Sequence, residues 1–494
     1  MRKSKAFILE VLDQLQLKKL DLADVRLIKT KDKSIATKDN VVEAYNLNFS
    51  MGFGIRVCIN GSWGFSAAAL QNDLTLNKKN KSLITKTIKQ AIDLSQTASI
   101  FNQDSLKLKT LKPIKTSYKT GYKIDPFSIS DNKIIDLLLK ADKALKIKNK
   151  IKISQAFFSA HVEKKIFANL NGSFIDQEIM FTGAGIEATA VAGNEVQNRT
   201  YPNSFRGQFE TKGYEAVEKL ELLKHAPRVS EQAIKLISAP NCPSGEFDLI
   251  IDGNQLALQV HESIGHAVEF DRILGLEASF AGTSFVKPSD INNLTYASPV
   301  VNVTADATIK GALGSFGFDD EGMPAKRQEI IKKGKLVGVL TNKKTAKQYN
   351  LPVTGAMRAQ SWNHIPLIRM TNINLEPGNW ELKDLIADTK KGLFLTTNRS
   401  WSIDDKRDNF QFGTELAIEI KNGRLGKIYK NPIYADNTLK FWQSCDAICN
   451  KKYWQVWGTP NCGKGEPTQT MHVGHGTAPT RFRNVKVFPG KANA

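Results

Sequence analysis

Apolar residues at Phe7, Ile8, Val11, Leu12 and Leu15 recur at helical spacing and predict an amphipathic helix over 5–20. The pattern then changes to alternation, first over Val41–Phe49. Two alternating runs, Gly54–Ile59 and Trp63–Ser66, flank Asn60-Gly61, the dipeptide that best suits a two-residue hairpin turn. Ile84, Ile88 and Ile92 return to helical spacing over 80–95, which makes this first region an α+β unit. From Lys107 to Lys123 the chain is rich in lysine, contains Pro113 and has no clear period, so it reads as a linker.

A second unit follows the same logic. Ile134, Leu138, Ala141 and Leu145 predict a helix over 131–147. Strands follow, with Asn171-Gly172 as a hairpin turn and alternation over Gly185–Ala192, and a further helical stretch covers 213–238. The turn-rich run Ser238–Gly245 is a boundary. Beyond it lie mostly short strands punctuated by Gly, Asn and Pro. The predicted architecture is α+β, with N-terminal (1–123) and middle (124–237) α+β domains and a β-rich C-terminal domain (238–494).

Composition narrows the class. Hydrophobic residues make up 41% of the 494 and charged residues 24%, which is globular rather than disordered. No apolar run approaches a membrane span, and the apolar stretch Ala6–Leu9 ends at Glu10, too soon for a signal sequence. A cytoplasmic location is therefore expected. Five cysteines are too few and too uneven for a disulfide framework. The net charge of +20 raises nucleic acid as a partner, but the lysines are spread along the whole chain and no binding module accompanies them. They read as a solubilising surface, with no specific nucleic-acid partner.

Candidate chemistry sits in His261-Glu262-Ser263-Ile264-Gly265-His266. Phe247–Ile251 reads as a strand and Asp252-Gly253-Asn254 as a turn capping a helix that begins near Gln255. A catalytic zinc site uses three protein ligands and a water, and an adjacent carboxylate can relay that water's proton to a leaving amine. On this reading His261 and His266 bind the metal and Glu262 is the general acid/base. In the familiar zinc helix the two histidines lie four residues apart. Here the gap is five, which on a regular helix leaves the imidazoles roughly 140° apart. Both reach one metal only if the helix is locally distorted; a π-type bulge supplies such an extra residue, and Gly265 lowers the cost of a distortion there. The alternative is a pair of surface histidines on an amphipathic helix. Spacing does not settle the third ligand. Glu269, Cys445, Cys449, Cys462, His472 and His475 are all candidates, and Cys445, Cys449 and Cys462 could instead hold a structural metal. Cys58 and Cys242 have no ligand-like neighbours, and His161, His225 and His364 carry no assigned role.

Taken together, the motifs resemble the TldD/PmbA family of metallopeptidases over nearly the whole chain. Gly54–Val57 with Gly61–Phe65, Asn198–Thr200, His261–His266, Gly314–Gly322, Arg369–Asn372 and Pro460–Lys464 follow one another in the family's order. The resemblance implies a zinc peptidase that cleaves unfolded or extended peptides. It implies His261, His266 and Cys462 as zinc ligands, Glu262 as acid/base, and a homodimer or a heterodimer with a related subunit. The intact histidine motif resembles the active type of subunit rather than a catalytically idle peptide-binding partner. The short C-terminal strands offer an edge to which an extended peptide could add by main-chain hydrogen bonds.

Overall fold

The computed structural model describes residues 2–71, 73–101, 112–279 and 282–490. The N-terminal two-fifths of the chain builds one sheet from long strands. Helix α1 (Arg2–Gln16) precedes β1 (Leu22–Lys38), β2 (Val41–Ile59) and β3 (Ser62–Ala69), and α2 (Lys78–Ile100) follows. Asn60 and Gly61 form the two-residue turn between β2 and β3, both at positive φ (50° and 74°), the conformation that favours this dipeptide. Within the expected linker, Lys115–Lys119 forms strand β4, while 107–111 lie outside the described residues. The stretch lacks a visible period because β4 is mostly exposed, so no apolar face marks it.

Helix α3 (Asp131–Leu145), β5 (Ile151–Asn169), β6 (Phe174–Ala192), β7 (Glu195–Tyr201) and β8 (Gln208–Glu210) complete the sheet. Its order is β3-β2-β1-β5-β6-β4, with β7 and β8 also pairing β6. β1 pairs with β5 along nearly its whole length, so the strands before and after residue 123 share one ladder. The single helix expected over 213–238 is two helices, α4 (Glu215–Glu218) and α5 (Leu222–Ser238). Glu221 between them adopts left-handed φ (46°), which breaks the helical path.

One face of the sheet is covered by helices. Val25 and Leu27 of β1 meet Phe7, Ile8 and Val11 of α1 and Ile84 and Ile88 of α2. Ile35, on the same face by the period of two, meets Ile134 and Leu138 of α3 and Val229 of α5. The opposite face carries buried charge and docks on the C-terminal region. Arg56 pairs with Asp24 (2.7 Å) and Glu321 (3.6 Å), and Lys165 (2.9 Å) and Arg26 (3.5 Å) both pair with Asp320. Buried charges persist only when paired in this way. The acid-rich loop 314–322 thus anchors the sheet to the rest of the molecule.

In the C-terminal region β9 (Gly245–Ile251) lies between Lys391–Ile403, parallel to it, and Thr480–Pro489, antiparallel. Thr480–Pro489 pairs Pro432–Asn437, which pairs Asn409–Lys421, which pairs Lys391–Ile403. The ladder therefore closes on itself. Helix α6 (Gly253–Val260) follows β9, capped by the Asp252 side chain on the Gly253 amide (2.8 Å) and beginning two residues before Gln255. Every residue of α6 is buried, and Leu256 and Val260 join a core with Leu249, Ile251, Leu395, Phe412 and Phe482. No helix of the described residues is long and apolar enough to cross a membrane.

Candidate metal centre

The histidine motif leaves α6 as one π-helical turn, His261–Gly265. The His266 amide bonds the His261 carbonyl five residues back, at 3.1 Å. The extra residue in this turn offsets the angular excess of the five-residue gap. Gly265 is needed for a different reason from the one its position suggests. A Cβ there would lie 2.1 Å from Met370 Sδ, so the residue is glycine to let Met370 close over the turn. A buried polar chain holds the turn from the other side. Gln255 donates to the Tyr434 hydroxyl, which donates to Gln259, which donates to Ser263 Oγ; the three bonds are each 3.0 Å. Trp442 Nε1 also donates to Ser263 Oγ (2.9 Å), and the Tyr296 hydroxyl donates to the Ser263 carbonyl.

His261 and His266 are each only 4% exposed, so they are not surface histidines. Cys462, from strand Gln455–Lys464, reaches them from almost 200 residues further along, and the ligand atoms of the three lie within 4.8 Å of one another. Cys462 Sγ is 3.6 Å from His266 Nε2. Zinc–nitrogen and zinc–sulfur bonds of ordinary length at a tetrahedral angle place these atoms roughly 3.5 Å apart, so the donor pair fits zinc. No other group of His, Cys, Asp or Glu among the described residues converges in this way.

The tautomers follow from the surrounding bonds. His475 Nδ1 faces the Ile373 carbonyl (3.3 Å) and must donate to it, which leaves His475 Nε2 as an acceptor. That nitrogen lies 2.8 Å from His261 Nδ1, so His261 donates and keeps Nε2 as its free lone pair. His266 Nδ1 donates to Glu269 (2.9 Å), again leaving Nε2. Burial lowers the pKa of all three histidines, so the neutral, ligating forms are favoured. Burial works to raise the pKa of Glu269, but Lys464 at 3.3 Å, with His266 and Arg272, holds it well below the usual range. The Cys462 thiol is likewise raised by burial, and Arg369 and His266 outweigh that and favour the thiolate. Arg369 also donates to the Cys462 carbonyl (2.5 Å), which fixes the strand that carries the sulfur. Glu262 is buried and paired with Arg407 at 2.8 Å.

The remaining ligand candidates lie elsewhere or serve other ends. Glu269 and His475 are hydrogen-bond partners of the two motif histidines. His472 Nδ1 bonds the Pro460 carbonyl (2.7 Å), and its ring packs against Phe181 and His161. Cys445 and Cys449 fall in separate hydrophobic clusters, and burial pushes the Cys449 thiol up to about 12, so neither is a poised thiolate. The structural-metal alternative with Cys462 is therefore overturned, because that sulfur faces His266. Cys58 and Cys242 are buried, with thiols raised to about 11 and about 12. Sequence reasoning missed Arg369, Arg407 and Lys464, which pair with Cys462, Glu262 and Glu269. Only the Arg369–Asn372 and Pro460–Lys464 motifs hinted at two of them.

Two imidazoles and a thiol on a common centre supply the three protein ligands that a catalytic metal site uses, with the carboxylate of Glu262 next in sequence to one of them. The chain belongs to the PmbA/TldD family: sequence profiles described as PmbA/TldA metallopeptidase domain 1, central domain and C-terminal domain match residues 23–95, 124–237 and 244–488. Among curated relatives, a metalloprotease of Methanocaldococcus jannaschii is 31% identical over 92% of this chain and 94% of its own length. A zinc metalloprotease TldD homolog of Saccharolobus solfataricus is 23% identical, covering 88% and 89%. TldE from Thermococcus kodakarensis shares the fold, with a TM-score of 0.71 at 16% identity over 97% of this chain and 99% of that one. A Thermotoga maritima structure described as a candidate modulator of a DNA gyrase matches with a TM-score of 0.76 at 16% identity, over 98% and 100%. At that identity the likeness speaks for the fold alone.

Proposed function

We propose that this protein is a zinc-dependent peptidase acting on unfolded or extended peptides, with His261, His266 and Cys462 as ligands and Glu262 as general acid/base. The observation that supports the reading is that one ligand atom each of His261, His266 and Cys462 lie within 4.8 Å of one another, a π turn between the two histidines absorbing their five-residue spacing. Zinc, when bound, supplies a Lewis acid that polarises a peptide carbonyl and makes a water acidic enough to attack it. The chain's own residues do the rest. The Glu262 carboxylate takes the water's proton on the oxygen outside its Arg407 bond and delivers it to the leaving amine. Arg407 keeps that carboxylate oriented. His475 and Glu269 hold the imidazoles in the tautomer that presents Nε2.

The division into domains 1–123, 124–237 and 238–494 is supported by three large hydrophobic clusters centred on those stretches. A dimer, with itself or a related subunit, is supported by β2. Among the described residues its stretch 41–49 pairs only with β1, and Val41, Val42, Tyr45, Leu47 and Phe49 are exposed there. A cytoplasmic location remains part of the proposal. The test measures bound zinc and hydrolysis of an unfolded protein substrate for wild type, Glu262→Ala and Cys462→Ala. Glu262→Ala keeps zinc and loses turnover, and Cys462→Ala loses zinc. Turnover that survives Glu262→Ala sinks the mechanism, whereas zinc retained in Cys462→Ala sinks only that ligand.

A further inference from the structure

A cavity of about 60 Å³ opens between the sheet and the C-terminal region. Its wall includes His161, Glu163 and Lys165 of β5, Phe181 of β6, Arg358 and His472. By volume it holds about four waters, room enough for a carboxylate group.

All but one of the ionisable groups on this wall are committed. Lys165 binds Glu163 (3.3 Å) and Asp320 (2.9 Å). Asp320 also accepts from the Ala359 amide (2.8 Å), and Asp319 accepts from the amides of Glu321 and Met323 (2.9 and 2.8 Å). His161 bonds Asp32 (2.5 Å), and His472, held neutral by burial with its pKa near 3, bonds the Pro460 carbonyl. Arg358 differs. Its Nη1 donates to the carbonyls of Met370 (3.1 Å) and His472 (2.7 Å), and no carboxylate among the described residues lies within salt-bridge distance of it. Burial, and then the like charge of Arg369, pull its pKa down to about 10 against the upward pull of Asp320, Glu163 and Cys462. Both carbonyls belong to the frame of the metal centre. Met370 is the residue that closes over Gly265, and His472 follows Met471, which pairs with Cys462.

We propose that Arg358 is a specificity residue that binds a carboxylate of the peptide substrate next to the scissile bond, through the donors not used by Met370 and His472. A guanidinium pinned on one nitrogen is preorganised for the fork geometry a carboxylate accepts. The carboxylate is either a free C-terminus or an acidic side chain, which share this chemistry. The inference rests on the peptidase reading, and its test is a binding measurement that does not need turnover.

Zinc-loaded Glu262→Gln protein, which leaves the peptide intact, is titrated calorimetrically with three alanine-based pentapeptides. One has a free C-terminal carboxylate, one is amidated, and one is amidated with a central Glu. At least one carboxylate-bearing peptide binds about tenfold or more tightly than the neutral one, the factor a charge-assisted hydrogen bond carries. Which of the two does so identifies the source. Arg358→Met in the same background removes the preference and leaves zinc content unchanged, and Arg358→Lys keeps part of it, which serves if the Met variant fails to fold. Equal affinities for all three peptides, no binding of either carboxylate peptide, or a preference that survives loss of Arg358 overturns the proposal. Absence of hydrolysis by the wild type, with the Arg358-dependent preference intact, removes the peptidase reading and leaves this one standing.

Discussion

His475 Nε2 accepts a hydrogen bond from His261 Nδ1 at 2.8 Å, so an imidazole more than 200 residues away sets which nitrogen of His261 faces the candidate metal. The direction is forced, because His475 Nδ1 is spent on the Ile373 carbonyl. His475→Ala should therefore weaken zinc binding about 10- to 100-fold, the usual range for loss of such a partner. Competition with a chromophoric chelator measures this directly. His475→Gln, whose amide oxygen can still accept from Nδ1, should recover part of the affinity. Equal affinity in wild type and His475→Ala would refute the relay.

Gly265 and Met370 form a second coupled pair. A methyl group at 265 would sit 2.1 Å from Met370 Sδ, far inside contact distance. Gly265→Ala should destabilise the protein by about 1–3 kcal/mol, the cost of overpacking a filled core. Met370→Ala removes the obstruction, so the double variant should be more stable than the sum of the single changes implies. Urea denaturation of the four proteins gives the coupling. Strict additivity would show that Gly265 serves the helix backbone rather than this contact.

The pattern of the chain made much of this architecture legible, and the limits are informative. Helical stripes such as Phe7–Leu15 and Ile134–Leu145 were readable because each packs a single apolar face on the sheet. The five-residue histidine gap called for a local irregularity, and the π turn lies there. The helix break at Glu221 had no such signal, since a non-glycine residue in left-handed φ leaves no mark on a periodicity. Cys462 was one of six candidates by spacing, and only the order of motifs singled it out. The pairings of Arg407 and Arg369 could not be read, because their partners Glu262 and Cys462 lie 145 and 93 residues away. Long-range pairing of this kind is written in topology, not in local pattern.

Asp320 links the sheet to the acid-rich loop 314–322. Burial works to raise its pKa, but Lys165 and then Arg26 outweigh that and hold the carboxyl below its usual value. A carboxyl with a depressed folded pKa stabilises the fold above its unfolded pKa of about 4, and this contribution is lost as pH falls through the lower, folded value. Asp320→Asn leaves Lys165 and Arg26 buried without their shared partner, which should cost about 3–5 kcal/mol at neutral pH. The gap in stability between wild type and variant should narrow below about pH 4. Thermal unfolding from pH 7 to pH 3 follows it, and a gap that stays constant across that range would assign the stability to other contacts.

The exposed stretch of β2 leads to the last prediction. Residues 41–49 pair with β1 on one side only, because β3 covers β2 only from Gly52 onward. Leu47 is 40% exposed and Phe49 55% exposed on this free edge. Such edges are usually blunted with charge, yet here Glu43 is the one charged residue among exposed apolar side chains. The economical explanation is that a second subunit covers them. Leu47→Lys combined with Phe49→Lys should then halve the molar mass seen by sedimentation equilibrium, while β1, paired through its other edge to β5, keeps the sheet intact. Circular dichroism and zinc content should match the wild type, which separates lost assembly from lost folding. An unchanged mass in the double variant would place the subunit contact elsewhere on the surface.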